Sequence, residues 1–150
     1  GMGIKKSISQ SYSPKTDIEA ISLALTPGIT GTTTKIGGTE SNAGAGLFFI
    51  KSLAKVNRDF FMVYSGKGMY KLLKNPKNKE VKLIADPLKD HSSYKNDYPY
   101  WQGTVVGIDL CLDEHSDFDN LLELIRAFYE KARKERTREK YRRPRFIWKK

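Results

Sequence analysis

Two glycine pairs are the residues whose type and spacing first suggest chemistry. Gly1 and Gly3 flank Met2, and Gly44 and Gly46 flank Ala45 directly before an amphipathic run. Glycine lets a backbone take positive φ and approach a phosphate closely, and free amides at a helix N-terminus present positive dipole to an anion. Gly44, Ala45, Gly46 and Leu47 stand in the order that such a site requires. Tyr94, Tyr98, Tyr100 and Trp101 with Lys95 have the composition of a base-stacking surface, but packing of this loop against a sheet is the preferred reading. His91 and His115 have no cysteine or second histidine at ligand spacing and are expected to be solvated. Asp86, Asp90, Asp97, Asp113, Glu114 and Asp117 contain no pair with an arguable catalytic placement. Cys111, the single cysteine, can form no internal disulfide and is expected to be a buried strand thiol.

These residues need elements to hold them. Residues 4–12 suit a short helical turn after Gly1-Met2-Gly3. Thr16 can cap a helix over 17–25, in which Ile18, Ile21, Ala24 and Leu25 recur at helical spacing and Glu19 suits the first turn; Pro27 and Gly28 stop it. Residues 28–46 carry six glycines and five threonines and almost no apolar anchor, which predicts a long mobile loop of the lid or binding type. Leu47, Ile50, Leu53 and Ala54 then mark one face of a helix over 46–57. Apolar runs over Phe60–Tyr64 and Met69–Leu73, separated by Ser65-Gly66-Lys67-Gly68, predict a hairpin. Residues 74–102 read as an irregular insertion, with a further strand expected at 81–85, and 103–112 alternate as a strand. Ser116 is a fair N-cap for a closing helix whose stripe is Phe118, Leu121, Leu122, Ile125, Phe128 and Tyr129.

The order of these features resembles the C-terminal part of a GHKL (Bergerat-fold) ATP-binding domain, the module of histidine-kinase-like ATPases. Gly1-Met2-Gly3-Ile4 is similar to the end of that family's first glycine box, 28–43 to its ATP lid, Gly44-Ala45-Gly46-Leu47 to its second box, and Gly103-Thr104 to its Gly-Thr strand start. The resemblance implies a partial Bergerat-type two-layer α/β sandwich of α+β class, with an antiparallel or mixed sheet of three to four strands and helices on one face. It implies nucleotide binding by Gly1, Gly3, Asn42, Gly44, Ala45, Gly46, Leu47 and Thr104, with the first box and the Thr104 hydroxyl on the adenine side. The family's first-box aspartate would lie two residues before Gly1. Its N-box helix, with a glutamate base and an Mg²⁺-holding asparagine, has no counterpart here, and the second box often reads Gly-Leu-Gly-Leu. The implication is a fragment that binds ATP, uses Mg²⁺ only with the missing N-terminal half, and hydrolyses little or nothing alone.

Composition bounds the reading. Hydrophobic residues make up 39% and charged residues 29%, which suits one globular domain and neither disorder nor a membrane span, so the expected location is cytoplasmic. Net charge is +10, of which residues 126–150 supply +9 through twelve basic against three acidic side chains. The division expected is therefore an ATP-binding domain over 1–112, a closing helix over 113–135 and a basic tail over 136–150. The tail underlies the alternative function, a non-catalytic interaction domain that binds nucleic acid or an acidic partner. A truncated sandwich would expose a sheet edge or apolar face, which predicts a homo-oligomer or a covering partner.

Overall fold

The computed structural model describes residues 1–39, 42–74, 76, 80–109 and 118–141. Helix α1 (Ile4–Ile8) and helix α2 (Asp17–Ala24) precede the glycine-threonine loop, and helix α3 (Gly46–Asn57) follows it. Strands β1 (Phe61–Gly66) and β2 (Gly68–Leu72) form the expected hairpin, and β3 (Ser92–Lys95), β4 (Trp101–Ile108) and helix α4 (Phe118–Lys140) complete the order. The sheet runs β3-β2-β1-β4 with every neighbour antiparallel. The chain is of α+β class, as expected.

Local chemistry explains the boundaries. The Thr16 hydroxyl accepts the Glu19 N–H at 3.2 Å, and the Glu19 carboxylate accepts the Lys15 N–H at 2.6 Å, close to a capping box that starts α2. α3 ends on Arg58 in the left-handed conformation, φ 59°. Alternate residues of the hairpin, Phe61, Val63, Tyr70 and Leu72, point to one face and are buried there against Ile4, Ile8, Ile21, Leu25 and Ala54. α1, α2 and α3 therefore all cover the same face of the sheet.

Four expectations are corrected. α4 does not cover the sheet; Ile125 and Tyr129 join Phe48 in a second cluster on the far side of α3. The strand expected at 81–85 is absent, and β3 lies at Ser92–Lys95 instead. Leu83 is drawn into the α3–α4 cluster and the Ile84 carbonyl accepts the Lys51 ammonium at 3.3 Å, whereas the polar Ser92–Lys95 run suits a solvated edge strand. The glycine-threonine loop folds on itself rather than lacking an anchor: Ile29 is 3% exposed in the sheet-facing core, and Gly28 N–H donates to Gly44 O at 3.2 Å, closing the neck. Tyr94, Tyr100 and Trp101 are exposed rather than packed on the sheet, although Tyr98 does stack edge-on against Tyr64. Cys111, His115 and Ser116, and the tail from 142 onward, lie outside the described residues.

A buried charge cluster fixes the 84–90 segment to α3. Lys51, 1% exposed, donates to Asp90 Oδ2 at 2.9 Å, and Lys55 donates to Asp90 Oδ1. Burial pushes the Lys51 ammonium below the usual lysine range, and Asp90 opposes that shift.

Candidate functional site

The sequence-predicted residues assemble in two groups. Gly3 and Thr104 meet around Ser65, at the end of β1, with Gly1 beside Gly103. The Ser65 hydroxyl accepts the Ile4 N–H at 2.9 Å, donates to Gly103 O at 2.7 Å and accepts the Thr104 hydroxyl at 3.3 Å. One donor and two lone pairs are all used, so Ser65 is a saturated hub that holds three chain segments. Two further features make the junction possible. Gly3 has φ +78°, and a Cβ there would come within 3.2 Å of Ser65 Oγ and 3.3 Å of Gly103 O. The β1–β4 register shifts between Ser65 and Gly66, which pair with Thr104 and Trp101 respectively, so Gln102 and Gly103 bulge and turn the Gly103 carbonyl toward Ser65. Thr104 donates inward and keeps its hydroxyl lone pairs available as acceptors.

Asn42, Gly44, Ala45, Gly46 and Leu47 form the second group, where the loop becomes α3. Asn42 Oδ1 accepts the Gly44 N–H at 3.3 Å, and Thr39 pairs with Asn42 in a two-residue bridge. Gly44 has φ +66°, and a Cβ there would lie 2.3 Å from Ile29 O. Its glycine is thus required by close backbone packing inside the loop neck. Gly46 differs: a Cβ there meets nothing within 4 Å, so the space beside the first turn of α3 is open. Ala45, the N-cap, supplies no side-chain hydrogen bond, and the amides of that turn have no side-chain cap among the described residues. Leu47 packs against the sheet-facing core.

α4 reaches this second group in a way the sequence did not announce. The Tyr129 hydroxyl donates to Ala43 O at 2.7 Å, Arg133 lies against Gly37, and Lys140 donates to Thr34 O. Ser65, Asp17 and Tyr129 are the participants that spacing alone did not pick out. The Ser-Gly at the hairpin turn was the available signal for Ser65. Asp17 Oδ2 accepts the Lys67 N–H at 3.1 Å and abuts Gly66, which joins the start of α2 to the hairpin tip.

Among the described residues no group of His, Cys, Asp and Glu is placed to hold a metal ion. No helix among them is long and apolar enough to cross a membrane. No family model, curated protein or solved structure matches the chain.

Proposed function

We propose that the chain is the nucleotide-binding part of a GHKL-type ATPase or kinase module, taking ATP with little or no catalysis of its own. The observation that carries this reading is the start of α3. A 12-residue helix opens on amides that no side chain caps among the described residues, beside open space at Gly46, at the mouth of a glycine-rich loop. Backbone amides and helix dipole together favour phosphate at such a point. The Ser65 hub supports an adenine-side role for the first glycine turn, because it holds Ile4, next to Gly3, from 61 residues before it and Thr104 from 39 residues after it, and leaves Thr104 able to accept from an exocyclic amine. Gly1, Gly3 and Thr104 then serve the base, and Asn42, Gly44, Ala45, Gly46 and Leu47 the phosphates, with Gly44 and Asn42 acting through the loop neck.

Mg²⁺ would enter with the nucleotide's phosphates, and the described residues supply no acidic cluster to hold it independently. Equilibrium dialysis with labelled ATP, with and without Mg²⁺, tests the reading. Saturable binding with negligible phosphate release is expected; fast turnover, or no retention at millimolar ATP, contradicts it. The alternative reading, a basic interaction domain, draws on Lys131, Lys134 and Arg138, which are exposed along α4. It predicts polyanion binding that weakens with salt and disappears on deletion of residues 136–150.

A further inference from the structure

The Ser65 hub is also the floor of an open cleft of about 550 Å³, whose walls are the exposed side of α1, the hairpin tip and the segment leading into β4. Its rim carries Lys5, Lys6 and Lys67 together with Tyr100 and Trp101, and Asp17 is the single acidic lining residue. Tyr100 is 68% exposed and Trp101 51%. Asp17 is already engaged by the Lys67 N–H and pressed against Gly66, so it offsets the lysines only in part. Lys5 spends one of its three donors on Lys15 O at 2.8 Å and keeps two. The backbone that carries the rings is anchored on the hairpin tip: Trp101 pairs with Gly66 across the bulge, and the Tyr98 N–H donates to Lys67 O at 3.2 Å.

We propose that this cleft binds single-stranded nucleic acid, with Tyr100 and Trp101 stacking on bases and Lys5, Lys6 and Lys67 contacting phosphates. Two adjacent exposed rings offer π-faces that any unpaired base can use, and lysines from two separate elements can follow a backbone. A duplex keeps its bases stacked inward and gives the rings nothing to stack on. A protein partner fits less well, because lysine is depleted at protein interfaces. The cleft shares Gly3 and the Ser65 hub with the proposed adenine side, but none of the α3-start residues assigned to the phosphates lines it.

The test is fluorescence anisotropy of a labelled oligothymidylate of about 12 nucleotides, within the span that small single-strand modules cover, titrated with the full chain and repeated with a duplex of equal length. Tyr100→Ala and Trp101→Ala are each expected to weaken single-strand binding about tenfold and leave duplex binding unchanged. Trp101→Phe should retain most of the affinity, which separates stacking from misfolding. Lys67→Gln should lower the salt slope by about 0.7, one phosphate contact on a single strand. Gly46→Trp should leave strand binding intact, so failure here and failure of ATP binding are told apart. Alanine variants that bind the single strand as tightly as the natural chain would overturn the proposal, as would no detectable single-strand binding, which would return the cleft to a protein or small-molecule occupant.

Discussion

Thr104 shows at the scale of one residue how function hangs on hydrogen-bond accounting. Its hydroxyl donates to Ser65, so toward the proposed nucleotide it could act only as an acceptor. Thr104→Val is therefore expected to weaken ATP by about 1 kcal/mol, the net worth of one hydrogen bond, with thermal stability nearly unchanged because Thr104 is exposed. An unaltered affinity in calorimetry would remove Thr104 from the site. Tyr70 gives a pH test. Burial raises its phenol far above the ordinary tyrosine value, and the hydroxyl donates to Pro87 O at 3.0 Å. A raised folded pKa means stability that is complete below the unfolded pKa of about 10 and is lost as pH rises beyond it. The urea midpoint of the natural chain should thus fall relative to Tyr70→Phe between about pH 9 and pH 11; a constant difference would contradict the burial argument. The glycine pairs were legible as residues because φ and close approach leave a mark on composition. Ser65 was not, since its role depends on a bulge in a strand 38 residues further along the chain.

Among the elements, α3 does the most. One end presents amides to the candidate phosphate site, its middle packs on the sheet, and its far half holds Asp90 between two lysines. Removing the shared carboxylate leaves two buried ammonium groups without a counter-ion. Asp90→Leu should cost about 3–5 kcal/mol. Lys51→Met leaves the Lys55–Asp90 pair balanced and replaces a desolvated cation by a side chain of similar shape, so it should cost less than about 1.5 kcal/mol. Chemical denaturation of both variants decides the matter, and equal losses would show that the cluster is not organised around Asp90. The helix at 17–25 and the hairpin could be read in advance because capping, period and turn chemistry agreed. β3 could not: VKLIA at 81–85 has the stronger strand composition, but its Leu83 is claimed by Phe48 and Ile125, and an edge position needs no apolar residues. Nor did the stripe on α4 say which surface would receive it, because an apolar stripe fixes a face and leaves the partner open.

At the scale of the whole molecule, the helix layer formed by the described residues stops short of β4. Thr104, Val106 and Ile108 share the face of Ser65, Val63 and Phe61, yet Val106 is 40% and Ile108 38% exposed, while their β1 partners are buried. Exposed apolar residues of this kind are what the proposed self-association or covering partner would bury. Light scattering after gel filtration should give a mass above 17.1 kDa that Val106→Lys reduces; a monomer at all concentrations would contradict it. Charge was legible only as a total and a tail. The structure adds that the basic helix docks on the glycine-threonine loop through Tyr129, Arg133 and Lys140, which links the two regions that the sequence kept apart.

The central claim is that the start of α3 receives a nucleotide's phosphates, and isothermal titration with Mg²⁺-ATP and ADP of the natural chain beside Gly46→Trp tests it most directly. Because a Cβ at position 46 meets no atom of the described residues within 4 Å, a side chain can leave the helix there without displacing their backbone, and circular dichroism of Gly46→Trp should match the natural chain. Saturable binding by the natural chain that is lost in Gly46→Trp is the predicted result; equal binding by both, or none by either at millimolar nucleotide, would contradict it.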